Sequence, residues 1–303
     1  MTTLVLGANG QVGRLLPAAL SALGPVTAAT RDGLLVGGGA CEVADFEQPQ
    51  ALVALLDRVR PQRVVNAAAY TAVDRAELET ELAYRVNAVG PGVVARWCAA
   101  HEVPLVHYST DYVFDGQGTR PYLPQDPTAP LGVYGASKLA GEEEIRAAGG
   151  THFILRTAWV YAAQGQNFLR TMLRLAGERD ELRVVADQVG TPTPAALIAQ
   201  VTAHILGLSP VTGGTWHLTA TGETSWHGFA EALLRRAHDI GLLQQLPRIT
   251  PIATSDYPTP ARRPAYSCLD CSSLLDDFQV ELPDWREGVD HVLAELRPVS
   301  TRG

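Results

Sequence analysis

Thr3-Leu4-Val5-Leu6-Gly7-Ala8-Asn9-Gly10-Gln11-Val12-Gly13 opens the chain with a short apolar run that leads into three spaced glycines. Residues 3–6 read as a buried strand. Beyond the glycines, Leu15, Leu16, Ala19, Leu20 and Leu23 recur at helical spacing. Strand, glycine turn, helix is the first unit of an α/β protein, and each glycine has its own task. Gly7 allows the tight turn, Gly10 lets backbone approach a pyrophosphate, and Gly13 lets the helix pack close to the strand. A helix N-terminus at that point offers free N–H groups and the positive end of a dipole to phosphates. The spacing is G-x-x-G-x-x-G, not the G-x-G-x-x-G of many dehydrogenases. The bland alternative is an ordinary turn.

Further strands and helices alternate outward from this unit. Residues 25–30 read as a second strand ending in Thr30-Arg31-Asp32. An acidic residue near this place takes the ribose 2′-OH of NADH, whereas arginine suits the 2′-phosphate of NADPH. Arg31 therefore favours NADPH, with NADH left open by Asp32. Gly37-Gly38-Gly39 is a loop, and Asp45-Phe46 follows a short strand where an adenine would lie. A helix over 49–58 and a strand over 63–66 lead to Ala67-Ala68-Ala69-Tyr70-Thr71, small residues that let backbone lie against a dinucleotide. The next segment reads as one long helix over 77–101, containing Asn87, with a kink or break at Gly90-Pro91-Gly92.

A strand over 105–108 runs into Ser109-Thr110-Asp111-Tyr112-Val113-Phe114, where Thr110 can polarise a carbonyl. A loop over 115–130, rich in Gly and Pro, precedes Tyr134-Gly135-Ala136-Ser137-Lys138. Residues four apart share a helix face. A phenol with a pKa near 10 is a poor acid at neutral pH, and an ammonium beside it pulls that value down. Tyr-x-x-x-Lys alone also fits an ordinary surface pair. After a strand over 152–156, Asn167-Phe168 opens a helix whose apolar stripe reads as core, and a strand over 182–185 precedes the polar loop 187–193. Arg263, in Ala261-Arg262-Arg263-Pro264, is the best candidate of this half for a ligand phosphate.

The totals bound the partners. The 303 residues carry 46% hydrophobic and 18% charged side chains, a globular composition, and a net charge of -8 without a basic run argues against nucleic acid. Cys41, Cys98, Cys268 and Cys271 lack a second pair at zinc spacing and read as free thiols. The first residues do not read as a signal peptide, and no run of about 18 apolar residues suggests a membrane span. A cytoplasmic protein is expected.

Taken in order, the glycine turn, Asn66-Ala67-Ala68-Ala69, Ser109-Thr110-Asp111-Tyr112-Val113-Phe114 and Tyr134-x-x-x-Lys138 resemble the extended short-chain dehydrogenase/reductases. Arg156-Thr157-Ala158-Trp159-Val160-Tyr161, Asp187-Gln188-Val189-Gly190-Thr191-Pro192-Thr193 and Tyr257-Pro258-Thr259-Pro260-Ala261-Arg262-Arg263-Pro264 extend the likeness. Over nearly its whole length the chain is similar to the dTDP-4-dehydrorhamnose reductase family. That resemblance implies an α/β modified Rossmann fold: a doubly wound parallel sheet with a smaller C-terminal α/β substrate-binding part. Residues 1–160 would form the dinucleotide-binding core, rejoined by later segments, and 161–303 would mainly bind substrate. The implied reaction is NAD(P)H-dependent reduction of the 4-keto group of dTDP-6-deoxy-L-lyxo-4-hexulose to dTDP-L-rhamnose, a precursor of cell-surface polysaccharide.

The resemblance assigns roles residue by residue. Tyr134 would donate the proton, Lys138 would tune it and hold the nicotinamide ribose, and Thr110 would orient the carbonyl and help tune the phenol. Cofactor contacts would fall on Gly7, Gly10, Gln11, Val12, Gly13, Thr30, Arg31, Asp45, Phe46, Ala69, Tyr70, Thr71, Tyr108, Tyr134 and Lys138. Sugar-nucleotide contacts would fall on Thr110, Asp111, Trp159, Asn167 and Arg263. Some members bind magnesium at a dimer interface through glutamates, but the matching positions here are Leu15 and Ala196, with only Glu295 remaining. No metal, and a monomer or weak homodimer, are therefore expected. Two other readings compete. One is a non-catalytic dinucleotide-binding subunit like that of methionine adenosyltransferase, against which the presence of Thr110, Tyr134 and Lys138 argues. The other is a sugar-nucleotide epimerase or dehydratase; dehydratases carry an acid pair after the threonine, and here Asp111-Tyr112 stands instead.

Overall fold

The computed structural model describes residues 1–208 and 213–297. The first unit is β1 (Thr3–Leu6), the glycine turn and a short α1 (Leu16–Leu20). The turn runs further than the leucine spacing suggests, because regular helix starts only at Leu16, with Pro17 in its first turn. There follow β2 (Val26–Thr30), β3 (Glu42–Val43), α2 (Pro49–Val59), β4 (Arg63–Asn66) and α3 (Val73–Ala76). The expected helix over 77–101 differs in detail. It comprises α4 (Thr80–Tyr84), a π-helical turn (Arg85–Val89) and α5 (Gly90–Ala100), and the irregularity falls just before Gly90-Pro91 rather than on it. Proline lacks an N–H, and a π-turn is one way a helix accommodates that loss.

β5 (Leu105–Thr110) extends through the threonine, and α6 (Val133–Ala148) carries Tyr134 and Lys138 in its first turns. The chain continues with β6 (His152–Thr157), β7 (Val160–Tyr161), α7 (Phe168–Glu178), β8 (Glu181–Val185), β9 (Val189–Gly190), β10 (Thr193–Pro194) and α8 (Ala195–Gly207). After it come β11 (Gly214–His217), β12 (Thr224–Ser225), α9 (Trp226–Asp239), β13 (Arg248–Ile252), α10 (Ser272–Phe278) and α11 (Trp285–Leu296).

Seven strands form one parallel sheet in the order β11-β6-β5-β4-β1-β2-β3. Both faces are covered, and the strand residues show how. Leu4, Leu6, Val64, Leu105 and Ile154 point into a core with Leu52, Leu55, Trp97 and Ile145. Their neighbours Val5, Val65, Val106 and Leu155 point into the opposite core, with Leu16, Ile198, Ile205 and Leu293. Strands buried on both faces lose the polar half of the alternation and read as continuous apolar runs, as they do in this sequence. β11 joins this sheet from the second half of the chain, next to β6. A separate parallel pair, β8 and β13, packs against α7 and α9. Strand order reverses between β1 and β4, so their carboxyl ends open the crevice where such sheets bind ligands.

Candidate active site

The crevice is lined by Gly7, Gly10, Thr30, Arg31, Asp45, Phe46, Ala69 and Tyr70 of the expected cofactor set, together with Asn9, Asp32 and Ala68. Its volume is about 490 Å³. Gly7 has φ +79°, and a Cβ there would fall 2.5 Å from the Ala68 nitrogen. A Cβ at Gly13 would fall 2.0 Å from the Gly7 oxygen. Only glycine fits either place. Among the described residues the backbone N–H groups of Gln11, Val12 and Gly13 donate to no protein atom, so they are available to an anion. This is the fit a dinucleotide pyrophosphate requires. Thr71 is exposed beyond the crevice wall.

At one end of the crevice, Arg31 pairs with Glu47 and lies 3.8 Å from Asp45, yet 67% of its side chain remains exposed. Asp32 is exposed and takes hydrogen bonds from the Thr30 hydroxyl at 3.1 Å and the Leu34 N–H at 3.2 Å. Phe46 is buried under the helix kink, where a Cβ on Gly90 would meet its ring at 2.5 Å. Tyr70 is held by Asn87, whose side chain accepts from the Tyr70 N–H and donates to the Tyr70 carbonyl and the Ser137 hydroxyl. The π-turn thus serves the site by aiming Asn87 at the wall of the crevice.

Beyond it, at the ends of β5 and α6, Thr110, Tyr134 and Lys138 come together. The Thr110 hydroxyl donates to Asp111 Oδ1 at 2.8 Å and accepts from the Tyr112 N–H at 3.2 Å. Lys138 is 2% exposed, donates to the Tyr108 carbonyl at 2.7 Å, and lies 3.2 Å from His107 Nε2. Burial lowers its pKa to about 8, opposed by Glu142 one turn on. The Tyr134 phenol departs from expectation. Burial raises it to about 12, the Thr110 hydroxyl opposes that, and Asp111 adds to it. Removing a phenolate from water here outweighs the help of the Thr110 hydroxyl, and Lys138 is not among the groups that shift the phenol. Asp111 is 2% exposed and raised to about 6 by burial, and among the described residues its Oδ2 has no partner.

The other candidates are placed as follows. Trp159, at φ +47°, stacks on Trp226 with ring centroids 3.5 Å apart, and Phe168 adjoins Trp226. Asn167 caps α7 by accepting from the Arg170 N–H, and donates to Gln11 Oε1 and the Ala162 carbonyl, so its amide braces the glycine turn. Arg263 lines a second cleft of about 640 Å³ with Phe168, Gln188 and Trp226, and binds Asp74 at 2.7 Å. The Tyr108 hydroxyl is shared with Thr202, so this residue faces Lys138 with its carbonyl alone.

The family model for the RmlD substrate binding domain matches residues 1–298. A dTDP-4-dehydrorhamnose reductase of Burkholderia thailandensis is 47% identical over 98% of this chain and 99% of its own length. Two solved structures of that enzyme superpose closely. The one from Clostridium acetobutylicum has a TM-score of 0.88 at 34% identity, covering 98% of this chain and 99% of the other. The one from Bacillus anthracis, in complex with NADP, has a TM-score of 0.87 at 34% identity, covering 97% and 99%.

The chain belongs to the dTDP-4-dehydrorhamnose reductase family.

Within that family frame, the magnesium positions stand as the sequence has them, Leu15 and Ala196, and the described residues contain no group of three or more His, Cys, Asp or Glu able to hold a metal ion. No described helix is long and apolar enough to cross a membrane. Sequence reasoning passed over three features of the site. Trp226 supports Trp159 by stacking on its ring. The buried pair Glu142–Arg156 carries two hydrogen bonds, of 2.8 and 2.7 Å. Asn66 and His107 are polar residues inside the apolar strands Arg63–Asn66 and Leu105–Thr110, both essentially buried. A polar residue inside a strand buried on both faces is the signal that finds them.

Proposed function

We propose that this protein reduces the 4-keto group of dTDP-6-deoxy-L-lyxo-4-hexulose to give dTDP-L-rhamnose, with NADPH as the preferred cofactor. The observation that carries the reading is the set of buried Thr110, buried Lys138 and half-buried Tyr134 at the end of the sheet crevice whose glycine turn offers three unpaired N–H groups. The Bacillus anthracis relative binds NADP. In this chain the exposed Arg31 supplies the charge for a 2′-phosphate, exchanging its bond to Glu47 for one to the ligand. The dTDP-sugar would occupy the side of the crevice toward the second cleft, built mainly from 161–303, with Trp159, Trp226 and Arg263 at hand.

Bound in the crevice, a reduced nicotinamide supplies the hydride. The chain's own residues do the rest. Tyr134, kept protonated by burial, gives its O–H proton to the oxygen as negative charge develops there. Thr110 turns its hydroxyl from Asp111 to the same oxygen and stabilises that charge. Lys138, anchored to the Tyr108 carbonyl, fixes the electrostatics of the phenol one helical turn away. Burial of Thr110 and Lys138, with Tyr134 half-buried between them and solvent, limits water at the proton-transfer step.

The test is isotopic. With NADPH deuterated on the transferred position and enzymatically generated 4-keto substrate, dTDP-L-rhamnose carrying deuterium at C4 is expected. Recovery of unlabelled rhamnose or of unchanged keto sugar would overturn the reading, and the second outcome combined with NADPH binding would favour a regulatory subunit.

A further inference from the structure

The helix that carries Tyr134 is not capped by its own sequence. Three helices of the second half take the usual local cap. Asn167 for α7, Ser225 for α9 and Asp284 for α11 each accept a backbone N–H from their own first turn. In the same place before α6 stands Gly132, which has no side chain to offer. The first N–H of that helix, on Val133, instead donates to Glu77 Oε1 at 2.9 Å, across 56 residues of sequence. A Cβ on Gly132 would fall 2.5 Å from the same oxygen, so it is glycine that lets the carboxylate in. Tyr134 is the next residue.

A local cap and a borrowed one stabilise a helix alike, since both satisfy a first-turn donor. They differ in what they fix. A local cap moves with its helix, whereas a borrowed cap ties the helix end to another part of the molecule. Glu77 closes α3, on the stretch that walls the cofactor crevice. Tyr70 lines that crevice and donates its hydroxyl to Glu79 at 2.6 Å, and Asp74 holds Arg263 at 2.7 Å. Later residues of α6 have anchors of their own. Ser137 accepts from Asn87 at 3.0 Å, and Lys138 donates to the Tyr108 carbonyl at 2.7 Å. Ahead of them, among the described residues, Glu77 is the only side chain outside α6 that accepts from its backbone.

We propose that Glu77 is a positioning residue of the reductase: as a cap borrowed from the crevice wall, it sets where Tyr134 stands against the cofactor. The inference rests on the assignment of Tyr134 as proton donor. Glu77 acts through the helix, by holding its first turn. Placement matters there because a shift of about 1 Å in a reacting group costs on the order of 10²-fold in rate.

The experiment separates holding from stabilising. Glu77→Ala removes the borrowed cap. Adding Gly132→Ser, which then has room for its side chain, supplies a local one. The backbone at that point is extended, with φ -150° and ψ 175°, as a serine cap requires. Gly132→Asp is the alternative where serine restores no stability. The placement of Tyr134 is read by ¹³C NMR of protein labelled at the tyrosine Cζ, the resonance being assigned by its absence in Tyr134→Phe. Glu77→Ala is expected to lower the melting temperature and to shift the Tyr134 resonance. The double variant should recover the melting temperature and keep the shifted resonance. Glu77→Gln, which retains an acceptor oxygen of the same reach, should leave the resonance close to its wild-type place. With the keto sugar, kcat should follow the resonance rather than the melting temperature, falling about tenfold or more in both proteins that carry Glu77→Ala and recovering in Glu77→Gln. A resonance that stays in place in Glu77→Ala, or returns with stability in the double variant, would overturn the proposal. So would a double variant with the kcat of the wild type. A wild type without turnover, whose Tyr134 resonance responds as expected, would count against the reductase reading and leave the placement by Glu77 standing.

Discussion

At the scale of single residues, burial sets the chemistry. Asp111 has its pKa raised from 3.8 to about 6, so its ionisation opposes folding. A raised folded-state pKa contributes stability below the unfolded value, and that contribution is lost as pH rises through the folded one. The window is therefore about pH 4 to 6, and the stake is about 3 kcal/mol. Asp111→Asn, which keeps the bond from Thr110, is expected to raise the melting temperature at pH 7 and to flatten its dependence on pH below 6. Urea unfolding at pH 4 and pH 7 checks both. Arg31 offers a second test. Replacing it with alanine should raise KM for NADPH roughly tenfold and leave KM for NADH nearly unchanged, as expected for loss of a charge-assisted contact. Equal effects on both cofactors would remove Arg31 from the 2′-phosphate. The candidate set Tyr134, Lys138 and Thr110 was legible from residue type and order. The phenol's upward shift was not, because spacing reports a neighbour's charge and says nothing of desolvation.

At the scale of elements, two close packings hold the catalytic helix. α6 lies against the π-turn so closely that a Cβ on Gly141 would fall 2.0 Å from the Asn87 carbonyl oxygen. Gly141→Ala must push the two helices apart. Its cost should exceed the 1–3 kcal/mol or so of ordinary overpacking, with a raised Kd for the dinucleotide because Asn87 also holds Tyr70. The second packing is the pair of Glu142 on α6 with Arg156 at the end of β6, 0% and 3% exposed. Removing one partner leaves a buried charge, so Arg156→Met should cost about 3–5 kcal/mol, and adding Glu142→Gln should recover part of it. Calorimetry on both single variants and the double variant decides this; full additivity of the two changes would contradict the coupling. The sequence reads as one helix over 77–101 with its irregularity at Gly90-Pro91-Gly92, within a turn of the π-helical segment Arg85–Val89. It could not supply the π-turn itself, whose Asn87 bonds Tyr70 and Ser137, residues distant in sequence.

At the scale of the molecule, the doubly wound sheet was legible because its strands are buried on both faces and carry glycine or small residues at their carboxyl ends. The second half was harder to read. Its strands β7, β9, β10 and β12 are two residues long, too short for an alternation, and β11 returns to the main sheet far from β6 in sequence. The proposed sugar-nucleotide side of the crevice depends on such returns: Trp226 against Trp159, and Arg263 against Asp74. Its residue types were visible in the sequence, but their mutual contacts belong to the tertiary structure. The most direct test of the whole reading is steady-state oxidation of NADPH by the wild type and by Tyr134→Phe, with enzymatically generated dTDP-6-deoxy-L-lyxo-4-hexulose, beside a direct measurement of NADPH binding. Turnover by the wild type, a loss of at least about 10²-fold in kcat for the variant, and unchanged binding are expected. A wild type that binds NADPH yet leaves the keto sugar untouched, or a variant as active as the wild type, would contradict it.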